Sequence, residues 1–481
     1  MSTSFYFYDL ETTSINPRTG RIMQFAGQRT DAQLRLIGEP DNILIRLSSD
    51  ILPDPDAIMI TGITPQSTLM DGITEAEFLR YFNNEICTKD TIFVGYNNVR
   101  FDDEFIRHTQ YRNFYDAYEW CWMDGRSRWD LLDVIRMTRA LRPDGITWPF
   151  APDGKPTNRL ELLTSMNGLD HAQAHDALSD VSATIVLARL LRNKQTKLFD
   201  YLLSMRDKNK VKELATSGQP FVYTSGKYPN VYEKTTVVVS LGEHPGKQGV
   251  LVYDLRHDPG FLADMTAEEI AVAWHARTDD ETKRFPIKTM QFNRCPAVAP
   301  LGVLDEATKE RLALDLDVIQ KHKVALARDK TLRERLLAAL KLLDKLRQAT
   351  FLSNVQDVDG QLYDGFFGDA DKTAMAVVRA ADKQDISALS MTFSDPRLEA
   401  LFPLYKARNF PASLSSEERS QWEKYRYQKL VGGGAKSSLS KYFMRIAELM
   451  EQKNITQNQQ YLLQELQLYG EAVMPMLEDE D

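Results

Sequence analysis

Four aromatic residues in succession, 5–8, run straight into Asp9-Leu10-Glu11, and this juncture restricts the fold more than any other stretch of the chain. A short run of ring side chains reads as a buried β-strand. Side chains of a strand alternate between faces, so Asp9 and Glu11 project to the same side. Two carboxylates at the end of an apolar strand are costly unless a cation or a protein partner neutralises them. Hard cations such as Mg²⁺ take oxygen ligands of this kind. A solvated strand end also accounts for the pair taken alone, because Asp-x-Glu is common.

Two later segments carry similar chemistry. Residues 95–103, Gly-Tyr-Asn-Asn-Val-Arg-Phe-Asp-Asp, follow an apolar strand pattern and lead into a helical one. Asp102 falls near that helix start, where capping is a competing explanation for an acid. Residues 175–180, His-Asp-Ala-Leu-Ser-Asp, open a second helical pattern. Five residues turn a helix through roughly 140°, so His175 and Asp180 share no face if both are helical. A loop position ahead of the helix lets the His175 ring fold back over the acids. A surface histidine near a helix N-terminus is the alternative.

The chain has 481 residues, enough for two to four domains. We divide it at 1–200, 201–350 and 351–481. The first part alternates strand patterns (5–10, 24–30, 42–47, 91–95) with helical ones (75–84, 102–110, 131–141, 160–166, 177–191), which predicts a mixed α/β sheet flanked by helices. The second is β-rich at 221–224, 235–241 and 249–253, with an amphipathic basic helix over 331–347. A solvated face explains that helix better than a ligand does. The third is mostly helical, with a flexible loop at 432–438. No run of about 18 apolar residues predicts a membrane span, and the N-terminus has no signal-peptide pattern. Cys87, Cys121 and Cys295 are far apart and in no CxxC motif, which suits a reducing cytoplasm. The net charge of −9 weighs against a nucleic-acid ligand. A local basic groove on an acidic protein would escape that objection.

The order Asp-x-Glu, Asn-x-x-Phe-Asp, His-x4-Asp resembles the histidine-bearing DEDD-type, ribonuclease-H-like exonucleases. The resemblance narrows to the bacterial exonuclease I family through Ile-Thr-Gly-Ile-Thr-Pro (60–65), residues 95–104, Tyr-Arg-Asn-Phe-Tyr-Asp (111–116), Arg-Trp-Asp-Leu-Leu-Asp (128–133) and Ala-His-Asp-Ala (174–177). Gln-Leu-Tyr-Asp-Gly-Phe-Phe (361–367) and Ala-Arg-Asn-Phe-Pro (407–411) extend it downstream, with little aligned between about 225 and 345. It implies an exonuclease domain, an SH3-like β domain and a helical C-terminal domain closing around single-stranded DNA. It also implies a monomer that cuts from the 3′ end with two Mg²⁺ ions, for which Mn²⁺ can substitute. Asp9, Glu11 and Asp180 would hold the metals, Asp102 would complete the acidic cluster, and His175 would act as general base. Arg107, Tyr118, Trp122, Arg136, Arg142 and Arg159 would line the strand path, with Arg159 and Glu11 at the terminal nucleotide.

Aromatics stack on bases of any sequence and arginines track phosphates. Tyr118, Trp120 and Trp122 stand near Arg112, Arg126 and Arg128 in sequence, although a core cluster would explain at least one of the rings. By resemblance, Arg142 and Tyr201 would receive the acidic C-terminal tail of single-stranded DNA-binding protein. Asp305 stands where the family pattern calls for an arginine, so it should oppose that tail unless Lys309 or Arg311 compensates. Residues 432–438 lack the Gly-Lys-Ser/Thr ending of a phosphate loop, and 357–360 lack the spaced acids of a calcium loop. Two rival readings remain: an exonuclease acting on RNA, and a DNA-end-binding protein without activity.

Overall fold

The computed structural model describes residues 3–169, 176–276, 278–352 and 357–475. The first part is built on five strands: β1 (Ser4–Thr12), β2 (Ile22–Thr30), β3 (Leu36–Leu44), β4 (Thr91–Gly95) and β5 (Ser127–Asp130). Their order is β3-β2-β1-β4-β5. β1 pairs antiparallel with β2 and parallel with β4, and β4 pairs parallel with β5.

The aromatic run explains why β1 is central. Phe5 and Phe7 enter one core, shared with Val181, Leu187 and Ala188 of the helix Ala177–Lys194. Tyr6, Tyr8 and Leu10 enter another, with Phe25, Phe78, Phe93 and Trp120. Both faces are therefore covered, and alternation carries Asp9 and Glu11 to the side roofed by Ala177–Lys194.

Three sequence expectations change. The strand expected at 42–47 begins earlier, because β3 is a largely exposed edge with little apolar alternation to mark it. β5, Ser-Arg-Trp-Asp, was not anticipated, since its burial depends on neighbouring strands rather than its own composition. The helical pattern at 75–84 divides into the α-helix Glu75–Tyr81 and a π-turn, Phe82–Ile86.

The second part is an antiparallel sheet of β6 (Phe221–Thr224), β7 (Thr235–Glu243), β8 (Gly249–Asp254), β9 (Ile287–Gln291) and β10 (Ala297–Pro300), in the order β10-β6-β7-β8-β9. β9 and β10 lie beyond the three β-rich stretches the sequence marks. The basic helix runs from Leu332 to Leu352, burying Leu336, Ala339, Leu340 and Leu343. The third part is helical, and Gly432–Ser438 proves to be a short connection in which Ser437 caps the helix Ser438–Met450.

A buried ionic network ties the third part to the first. Arg408 pairs with Asp50 at 2.7 Å and Asp359 at 2.8 Å, Lys429 reaches Asp50 at 2.7 Å, and Arg21 reaches Asp359 at 2.5 Å. The opposing cations hold Asp50 and Asp359 below the usual carboxylate range despite burial. Among the described residues no helix is long and apolar enough to cross a membrane.

Candidate active site

The site forms where the edge of β1 meets two helix starts. Ligand oxygens of Asp9, Glu11 and Asp180 lie within 4.8 Å of one another. Asp180 sits in the first turn of Ala177–Lys194, which Asp176 caps by accepting from the Ser179 N–H at 3.0 Å.

The next acid depends on a tight turn after β4. A Cβ on Gly95 would lie 2.6 Å from the Asn98 side chain, so this close approach needs glycine. Asp130 fastens the turn by accepting from the Asn97 and Val99 N–H groups at 2.9 and 3.3 Å. The helix Asp102–Arg112 follows. Its two leading acids separate: Asp102 joins the cluster electrostatically, while Asp103 accepts from Tyr8 and Arg128 in the core.

Burial, then Asp180 and Asp102, push Glu11 up to about 8. Burial, then Asp103, push Asp102 to about 8 as well. Asp9 is raised strongly by burial and by Asp102, Glu11 and Asp180. No lysine or arginine among the described residues pairs with Asp9, Glu11 or Asp102. Crowded, uncompensated oxygen donors fit a hard divalent cation. His175 lies outside the described residues. Asp176, which contributes to the field on Asp9 and Glu11, escaped the sequence reading because it looks like an ordinary helix cap.

Asp9 and Asp180 face an open cleft of about 530 Å³, whose other walls include Tyr96, Arg136, Asn158, Arg159, Asn230 and Lys234. Arg136 pairs with Asp133 at 2.7 Å. Arg159 is largely exposed and pairs with Glu161 at 3.2 Å. A second cleft, of about 760 Å³, includes Arg107, Tyr118, Trp122, Arg126 and Arg128 in its lining. The Arg107 guanidinium lies 5.4 Å from the Tyr118 ring centroid, and Trp122 is 59% exposed. Phe366, 91% exposed and 6.5 Å from the Tyr118 ring, is an aromatic the sequence reading passed over.

Among the neighbouring rings Trp120 is the core residue expected of at least one of them, 1% exposed. Two arginines need correction. Arg112 is buried against Glu75 at 3.0 Å and cannot track a strand. Arg128 reaches the cleft wall with its charge committed to Asp103. At the other expected contact, Arg142 donates to the Val303 carbonyl at 2.8 Å and lies 3.3 Å from Asp305. Lys309 turns to Glu306 and Arg311 donates to the Ala140 carbonyl, while the fields of Arg142 and Arg311 both help hold the Asp305 carboxyl below its ordinary value. Tyr201 is partly buried in the helix Thr196–Ser204.

A mixed five-stranded sheet with an acidic cluster at the end of its central strand defines a ribonuclease-H-like exonuclease. Sequence models agree: "Exonuclease" matches residues 6–188, "Exonuclease I SH3-like domain" 206–341 and "Exonuclease I C-terminal domain" 356–473. The exodeoxyribonuclease I of Haemophilus influenzae is 38% identical, over 97% of this chain and 98% of that protein. Escherichia coli exonuclease I in complex with a dA16 oligonucleotide superposes with a TM-score of 0.92 at 37% identity, covering 98% of this chain and 100% of that one. The zinc-bound E. coli complex with single-stranded DNA gives 0.90, and an SSB/exonuclease I structure with the inhibitor CFAM gives 0.88, both at 36% identity with 98% and 100% covered. The chain belongs to the exonuclease I family.

Proposed function

We propose that this exonuclease removes nucleotides from the 3′ end of single-stranded DNA, releases nucleoside 5′-monophosphates, and acts as a monomer in DNA repair and recombination. The observation that carries this reading is the convergence of Asp9, Glu11 and Asp180 within 4.8 Å. The opening of Asp9 and Asp180 onto a cleft that also presents Arg136 and Arg159 supports it. The parts at 1–200, 201–350 and 351–481 would serve as catalytic domain, SH3-like wall and helical cover.

Asp9, Glu11 and Asp180 would hold two Mg²⁺ ions, with Mn²⁺ able to substitute. When bound, such ions supply an activated water and stabilise charge on the leaving 3′ oxygen. Asp102, whose field acts on Asp9 and Glu11, would complete the acidic cluster. His175 would accept the proton of the attacking water, a role suited to an ordinary pKa of about 6.5. Glu11 and Arg159 would hold the terminal nucleotide. Arg107, Tyr118, Trp122 and Arg136 would guide the strand, with Arg142 beyond them. Stacked, paired bases do not fit an aromatic-lined path made for one strand.

Arg142 and Tyr201 would also receive the acidic tail of single-stranded DNA-binding protein, its carboxylate on the guanidinium and its final aromatic residue against the tyrosine. Asp305 would compete for Arg142, making this contact weak and salt-sensitive.

Labelled single-stranded DNA, blunt duplex DNA and RNA, each with Mg²⁺ and with chelator, test the proposal. We expect stepwise 3′ shortening of single-stranded DNA alone, abolished by chelator. Equal rates on blunt duplex or on RNA would overturn it.

A further inference from the structure

The two clefts are joined by a strip of cations drawn from two domains. Asp133 connects Arg136, at 2.7 Å, to Arg100, at 2.8 Å. Glu104 connects Arg107, at 2.7 Å, to Arg294, at 2.9 Å. Each carboxylate is thus shared by two arginines, and the strip keeps an excess of positive charge. Arg136 belongs to the cleft of the acidic cluster and Arg107 to the aromatic one, so the strip spans the ground between them.

Two turns of the antiparallel domain press onto this strip. The 292–295 turn brings Arg294, which also donates to the Val99 carbonyl at 2.6 Å, and Arg128 donates to the Asn293 carbonyl at 2.9 Å. The 225–228 turn is closed by the Tyr228 N–H donating to the Ser225 carbonyl at 3.0 Å. It packs so closely that a Cβ on Gly226 would lie 3.0 Å from the Arg136 guanidinium. Its next residue, Lys227, is exposed. Among the described residues no carboxylate pairs with the Lys227 ammonium. Burial of the stem, then the fields of Arg100, Lys247 and Arg294, lower its pKa, and the field of Asp133 offsets this only in part.

A fold does not gather like charges around an unpaired ammonium without cost. Such a group is stabilised when an anion arrives. The strip runs between the two clefts and is rich in guanidinium groups, so its fitting ligand on a strand that passes from one to the other is a phosphodiester.

We propose that Lys227 contacts a backbone phosphate of the single strand between the aromatic cleft and the acidic cluster. The antiparallel domain then takes a direct part in holding substrate, through one residue on a turn fixed against Arg136. This inference rests on the single-strand reading above.

The test is the salt dependence of binding. A labelled oligothymidylate is titrated, in chelator to prevent turnover, against wild type, Lys227→Ala, Lys227→Arg and, as control, Lys453→Ala on an exposed turn. Each phosphate contact on a single strand contributes about 0.7 to the slope of log K against log salt. We expect Lys227→Ala to lose about that much slope and to bind severalfold more weakly at low salt, whatever the base sequence. Lys227→Arg and Lys453→Ala should keep the wild-type slope. Melting curves check that the alanine variant is folded, and wild-type hydrolysis of single-stranded DNA is measured in parallel. An unchanged slope in Lys227→Ala beside an active wild type overturns this inference alone. A wild type that neither binds nor cuts the strand overturns the single-strand reading, and this inference with it.

Discussion

Replacing Glu11 with glutamine should inactivate the enzyme and at the same time stabilise its metal-free form. Glu11 is 9% exposed and held at about 8 by burial and by Asp180 and Asp102, against an ordinary value of 4.5. Between those two pH values the folded chain keeps a proton that the unfolded chain releases. The folded state binds more protons there, so stability falls as pH rises through the window. At about 1.4 kcal/mol per pH unit, the loss reaches about 4 kcal/mol by pH 8. That figure is a ceiling, because side chains relax and water enters. Below the ordinary carboxylate pKa both states are protonated and the contribution vanishes. Glutamine carries no charge and should recover most of the loss at pH 8 and little at pH 5. Cations that bind only the folded state should offset the same penalty in wild type. Scanning calorimetry at both pH values, with chelator and then with Mg²⁺, measures these effects. We expect the variant to melt above wild type at pH 8 in chelator, to melt close to it at pH 5, and to gain less from Mg²⁺. A variant that melts below wild type at pH 8, or keeps the full Mg²⁺ gain, would refute the electrostatic reasoning.

His175→Ala should lower turnover by roughly two to four orders of magnitude, the usual worth of a general base, while calorimetrically measured Mg²⁺ binding persists. Lost metal affinity with unaltered turnover would assign it a different role. Arg408→Met should destabilise the chain by about 3–5 kcal/mol in denaturant melts, since it leaves Asp50 and Asp359 buried with fewer cations. A shift under about 1 kcal/mol would mean that Arg21 and Lys429 suffice. For the partner tail, Asp305→Asn should tighten binding of a labelled acidic tail peptide and Arg142→Ala should weaken it, both most clearly at low salt. Equal binding by all three proteins would move the tail elsewhere.

What could be read from the sequence was local, and what could not was assembled from distant segments. Asp9 and Glu11 share a face by strand parity alone, and the aromatic run announces the strand that carries them. Asp102 and Asp103 are adjacent and chemically identical, yet one joins the acidic cluster and the other is consumed by Tyr8 and Arg128. Helix geometry turns them apart, and only the partners say which faces the cleft. Arg112 resembled a strand-binding residue until Glu75, 37 positions away, claimed it. The opposite error hid Lys227, which has no motif around it and acquires its significance from Arg100 and Arg294, on separate segments. The net charge of −9 misleads on the same principle. Acids such as Asp50, Glu75, Asp103 and Asp359 are spent in buried pairs, and Asp9, Glu11 and Asp180 are gathered within 4.8 Å of one another. Summing charges therefore counts carboxylates that a strand would never meet. The strip from Arg136 to Arg107 presents the opposite sign, because two acids there must serve four arginines and, among the described residues, no carboxylate pairs with Lys227.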